Sequence, residues 1–308
     1  MFLPVTEMMR IGFLKNLPNN NTSNFEYVGQ ALVSYDATYR IHSISGGGQS
    51  EISGYSDAIR SSMGSNTAVS SFITIAEANF PNNIHSIYFD GVQGAKVAYN
   101  TIGIAANSSY TPPSTANFQS TPYGIYLDHS SIFAVHNNSI TKSSTGDQSI
   151  GIIVNESGSA AEHIHDNTLD GLDIGIEALG VCNNSADKTV GLNFSCNRFG
   201  ENDLNATDIY TPGAIASSQS GPLSSFPNNE FSPSTAGTSF FNGYQTSVLY
   251  AYGTGAPYTT PGPPIGGGSA VTGSRQNLTL YSSPDPANLP SACSDFPVPP
   301  VANPGGLL

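Results

Sequence analysis

Lysine and arginine are scarce. The chain of 308 residues has 9 of them against 22 aspartates and glutamates, for a formal net charge of −13. A surface this short of cations cannot neutralise a phosphate backbone, which excludes nucleic-acid binding. Docking on anionic lipid is disfavoured for the same reason. Charges of both signs amount to only 10% of residues. Gly, Ser, Thr and Asn cover the surface instead, a composition suited to an extracellular or cell-surface setting.

Long apolar runs are missing too: no stretch reaches the roughly 18 residues of a spanning helix, so no membrane span is expected. The N-terminal MFLPVTEMMRIGFLKNL lacks the basic, apolar, then small plan of an export signal, so a secreted form would be a trimmed chain or a fragment of a longer one. Cysteines number three, Cys182, Cys196 and Cys293, with no C-x-x-C pair, so zinc is not expected. They read as one disulfide and a leftover thiol, or as three buried thiols. Cys182 and Cys196, 14 residues apart, are the expected bridge. Helical periodicity is also absent.

What is present is a repeat. The string AVHNNSI at 134–140 contains the pattern Φ-x-x-N-x-Φ, with Φ a large apolar residue. The same pattern places Asn100 between Val97 and Ile102, and Asn138 between Val135 and Ile140. It continues with Asn167 between Ile164 and Leu169, Asn197 between Phe194 and Phe199, and Asn229 between Phe226 and Phe231. A weaker copy, Ile75 to Phe80, has Ala78 in the amide slot. The final apolar positions, 80, 102, 140, 169, 199 and 231, lie 22, 38, 29, 30 and 32 residues apart.

A small residue followed by alternating apolar positions precedes several copies, as in Ser86-Ile87-Tyr88-Phe89-Asp90, Gly124-Ile125-Tyr126-Leu127-Asp128 and Gly151-Ile152-Ile153-Val154-Asn155. Alternation is the strand period. Too few residues separate the strands for crossover helices, and one short strand pair cannot bury its own face. Stacked copies can. The expected fold is therefore all-β, a parallel β-helix. Successive asparagines then lie one strand spacing apart, about 4.8 Å, and form an amide ladder at a turn. An isolated buried amide would cost roughly 1–3 kcal/mol, so a column in register is the physical solution.

The stacked repeats resemble the right-handed parallel β-helix, or pectin-lyase-like, superfamily. The strings VGLNFSCNRF, then Asp208-Ile209, then NNEFSPS are similar to those of secreted Bacteroidetes surface proteins exported by the type IX secretion system. The resemblance covers roughly residues 50–295 and implies a cell-surface or adhesive role. The organisation read from the chain is a cap or degenerate coils at 1–50, the β-helix at 51–252, and an extended Pro/Gly-rich tail at 253–308. The tail contains one strand-like stretch, NLTLYS, and is expected to run over the coil walls or to a second copy instead of extending the ladder. Crossing to a second copy would give a homo-oligomer or fibre.

Candidate chemistry lies on the outward face. Glycosidases of this superfamily need two or three carboxylates on adjacent coils. Asp90 and Asp128, with Asn155 in the same column and His129 beside it, are the weak catalytic candidates. They are also the place where a calcium ion is conceivable. Stacked His136 and His165 read as solvent-facing imidazoles. Tyr88 and Tyr126 form an outward aromatic column able to stack on a sugar ring, with cross-coil packing as the simpler role. Between 72 and 250 the only cations are Lys96, Lys142, Lys188 and Arg198, in different turns. A polyanion such as pectin would meet an acidic wall. The expectation is a structural or adhesive β-helix that contacts glycans or itself. A polysaccharide lyase or hydrolase on the same fold is the alternative.

Overall fold

The computed structural model describes residues 30–43, 50–64, 72–105, 121–143, 148–200, 205–219, 227, 229–232, 238–244, 247–253 and 278–283. It is a right-handed parallel β-helix whose coils stack their strands into three long parallel sheets, with a three-stranded sheet at the C-terminal end. The first sheet has eight strands, from Gln30–Tyr35 through His85–Asp90, Tyr123–Asp128 and Ile150–Asn155 to Thr238–Asn242. The second and third sheets have six strands each, including Ala134–His136 and Ser139–Lys142. Every strand pair within these sheets is parallel and neighbours in space belong to successive coils.

The first coil among the described residues starts at Gln30, inside the segment expected to be a cap or degenerate coils. At the other end, Leu278–Ser283 pairs with Val248–Gly253, which pairs with Ser218–Gln219. The expectation that the tail would not extend a ladder is corrected at this strand: Leu278–Ser283 has alternating positions free of Pro and Gly, so its backbone can pair along its length. The rest of 254–308 lies outside the described residues.

The register follows from what each strand buries. In the first sheet, Leu32, Ile59, Ile87, Ile125, Ile152, Ile176, Ile209 and Phe240 stand directly above one another, all buried. The second sheet stacks Ile41, Ile75, Val97, Val135, Ile164 and Phe194. The third stacks Phe80, Ile102, Ile140, Leu169 and Phe199. Each fully buried aliphatic contributes roughly 1.5–3 kcal/mol. A one-residue slip would turn a whole column out of the core, so the register has strong support.

Glycine at the second position of three first-sheet strands has a steric reason. A Cβ on Gly124, Gly151 or Gly175 would lie within 2.5–2.7 Å of a backbone carbonyl of the next coil. At Gly175 it would also strike the Phe199 ring at 2.8 Å. At these three positions the added Cβ would meet backbone that cannot yield, so glycine is required there.

The asparagine ladder turns the corner from the second sheet to the third. Asn100 Nδ2 donates to Asn138 Oδ1 at 3.0 Å, Asn138 to Asn167 at 3.0 Å, Asn167 to Asn197 at 3.0 Å, and Asn197 to Asn229 at 3.1 Å. Each acceptor Oδ1 also receives the backbone N–H of the preceding coil's asparagine. Each Nδ2 donates again to a core carbonyl, of Ile75, Val97, Val135, Ile164 and Phe194 in turn. The ends are closed: Ala78 N–H donates to Asn100 Oδ1 at one, and Asn229 Nδ2 meets the Tyr250 hydroxyl at the other. The residue before each slot from Ala78 to Asn197 is left-handed: Glu77, Tyr99, Asn137, Asp166 and Cys196 have φ between 54° and 59°.

A second corner has a hydroxyl column. Ser130 Oγ and Ser157 Oγ donate to the carbonyls of Asp128 and Asn155, and Cys182 Sγ donates to that of Leu179 in the same manner. Cys182 is thus a buried free thiol, while Cys196 is disulfide-bonded. The expected Cys182–Cys196 bridge is therefore not formed: one cysteine belongs to the serine corner and the other to the asparagine corner. Cys293 lies outside the described residues.

Candidate functional site

The outward face of the first sheet gathers most of the candidate residues. Tyr88 and Tyr126 are register partners, as are Asp90, Asp128 and Asn155. The aromatic column is not a solvent-facing platform. Tyr88 and Tyr126 are each only 8% exposed, and their rings meet edge to face at 5.3 Å. With Tyr123, Ile150 and Ile153 they make a second apolar cluster outside the main core. Strand parity correctly places them outward, yet the outer face itself is covered, so these rings are buried packing groups. Burial raises both hydroxyl pKa values, that of Tyr126 to about 12, with the Asp128 carboxylate as the next cause. Both phenols are neutral at ordinary pH.

Asp128 is the hub of the polar part. It accepts from the Tyr88 hydroxyl at 3.1 Å and from Asn155 Nδ2 at 2.9 Å. His129 Nδ1 lies 2.9 Å from the same carboxylate, and His129 Nε2 lies 2.7 Å from Glu156. Asp90, one coil away, is raised above the usual carboxylate range by burial and then by the Asp128 charge. One ligand atom each from Asp90, Asp128 and His129 falls within 4.8 Å of the others, so these are the residues that could hold a divalent cation.

His136 and His165 stack at 4.9 Å with planes 5° apart, as their register requires. They are buried, 5% and 8% exposed, not solvent-facing. Burial holds the His136 imidazole below its ordinary pKa. His163 is lowered to about 4 by the same cause.

Sequence reasoning missed a groove of about 530 Å³ over the asparagine corner. Tyr99, Asn137, Asp166 and Cys196, the left-handed residues of four successive coils, line it. Ser139, Thr168 and Arg198, one register row further, line it too, and Glu230 closes it beside Arg198. The available signal was positional: each of the four precedes a ladder asparagine.

No family model matches the chain, and neither a curated protein nor a solved structure matches it. The chain's own geometry is what bears on function.

Proposed function

We propose that this chain is a structural or adhesive β-helix segment of an extracellular or cell-surface protein, of the pectin-lyase-like type. Its stack acts as a spacer or a contact surface. The observation that carries the reading is the closure of the carboxylate network: Asp128 already holds Tyr88, Asn155 and His129, and His129 bridges to Glu156. A catalytic carboxylate needs access to substrate, whereas this one ties adjacent coils together. The disulfide at Cys196 supports an oxidising compartment, in line with the acidic, lysine-poor composition. Export by the type IX route, in the manner of Bacteroidetes surface proteins, belongs to the same proposal.

A polysaccharide lyase or hydrolase is the second reading. The raised Asp90 carboxyl beside Asp128 favours it, since a general acid needs such a shift. One experiment separates the two. Purified protein is incubated with pectin, alginate and neutral polysaccharides, with and without calcium. The structural reading expects no new reducing ends or unsaturated products. Turnover that disappears in Asp128→Asn would replace it with the enzymatic one.

A further inference from the structure

We propose that the groove over the asparagine corner binds a short, neutral oligosaccharide. This rests on the adhesive reading and gives it a site. Three independent observations converge. The first is an exposed aromatic ring in an unusual backbone position. Tyr99 is 52% exposed and left-handed, at φ 59°, where a bulky side chain is disfavoured. Its ring is not loose: it meets His136 edge to face at 5.4 Å, and His136 stacks on His165. A ring fixed before binding loses little freedom when a sugar face packs on it.

The second observation is how the histidine stack orients its neighbours. His136 Nδ1 is 2.8 Å from Asn137 Oδ1, and His165 Nδ1 is 2.8 Å from Asp166 Oδ2. Asn137 and Asp166 have no hydrogen on those oxygens, so each imidazole donates and each side chain accepts. The pairing leaves Asn137 Nδ2 as a donor and Asp166 Oδ1 as an acceptor. They belong to adjacent coils, about 4.8 Å apart along the axis. A donor beside an acceptor at that spacing suits neighbouring sugar hydroxyls, which both give and accept hydrogen bonds.

The third observation is the rest of the lining. Ser139 and Thr168 offer hydroxyls in register, and Arg198 with Glu230, 3.5 Å apart, ends the row. The groove thus runs over five coils, roughly 19 Å, with an aromatic ring at one end and an ion pair at the other. Its volume is within the range of small-ligand sites. Polyanions do not fit, because Asp166 and Glu230 outnumber Arg198, which already faces Glu230.

The test is titration calorimetry of the full chain with cellohexaose, xylohexaose, mannohexaose and chitohexaose, with oligogalacturonate as the charged control. At least one neutral hexamer should bind. Tyr99→Asn removes the ring and suits the left-handed backbone; it should weaken binding roughly tenfold. Asp166→Asn should weaken it several-fold, and Tyr35→Ala, an exposed ring on the first sheet, should change nothing. Melting temperatures of all variants should match the parent, which separates lost contacts from lost folding. Binding untouched by both Tyr99→Asn and Asp166→Asn overturns the groove while the adhesive reading stands. Binding of the galacturonate control alone also overturns it. If nothing binds, the groove and the adhesive role fall together, leaving the spacer. Hydrolysis of a hexamer would refute the non-enzymatic reading by itself.

Discussion

Replacing Asn138 with alanine is the sharpest perturbation of this fold. Asn138 is 1% exposed and sits mid-ladder. Its Nδ2 donates to Val97 O at 2.9 Å and to Asn167 Oδ1 at 3.0 Å. Its Oδ1 accepts from Asn100 N at 3.1 Å and Asn100 Nδ2 at 3.0 Å. Truncation leaves two of these groups stranded, the Asn100 backbone N–H and the Val97 carbonyl. Asn167 Oδ1 keeps the Asn138 backbone N–H, and Asn100 Nδ2 keeps Ile75 O. Each stranded buried group costs roughly 1–3 kcal/mol. The vacated space is polar and can admit water, so the lower half of the range applies. The expected loss is about 3 kcal/mol.

Asn138→Asp distinguishes a ladder from simple packing. It keeps the shape but turns the donor into a second acceptor, aimed at the Val97 carbonyl and Asn167 Oδ1. At neutral pH it should cost more than alanine does, because it buries a charge against two acceptors. Asn137→Ala is the neighbouring control. It loses the His136 contact and a residue suited to φ 54°, which should amount to about 1 kcal/mol. Urea unfolding followed by circular dichroism measures all three. Equal losses for Asn137→Ala and Asn138→Ala, or an aspartate tolerated at neutral pH, would refute the ladder argument.

Gly175→Ala should destabilise by about 3 kcal/mol in the same assay, since its Cβ meets Asp208 O at 2.5 Å and backbone cannot yield as a side chain can. Asp208 accepts from Ser232 N and Oγ and from Asn205 Nδ2, yet burial lifts its pKa from 3.8 to about 6. The folded state therefore holds this proton more tightly than the unfolded chain. Its stabilising contribution is complete below about pH 4 and is lost as pH rises to about 6. Asp208→Asn should remove that slope, so its stability relative to the parent should rise over this window by up to about 3 kcal/mol; a constant difference would contradict the buried-proton assignment. Iodoacetamide should leave Cys182 unmodified until the protein unfolds, because the thiol is buried and lifted to about 11. Non-reducing peptide mapping should find Cys196 in a disulfide and Cys182 free; a Cys182–Cys196 peptide would contradict the structure.

Much of the fold was legible because a solenoid is built from neighbours. The residue that Asn138 needs is another asparagine at the same place in the next coil, so a local string, repeated, encodes a contact 29 residues away. The Ile87 and Ile125 column was readable for the same reason: period-two alternation fixes which side chains face the core. The candidate sites were not legible in this way. Parity turns Tyr88 and Tyr126 outward, but whether outward means exposed depends on what packs over that face, and it buries them. Cysteine spacing does not report which corner each residue occupies, so Cys182 and Cys196 looked like a pair. The groove escaped notice because its column reads Tyr99, Asn137, Asp166, Cys196, four unlike side chains with no common letter. They share only a left-handed backbone, imposed by the turn each coil makes before its asparagine. Sequence alone determined the repeat, the register and the ladder, whose contacts recur from coil to coil. Only the tertiary structure decided exposure, the disulfide and the groove, since these depend on groups brought together by stacking and closure that no repeating pattern records.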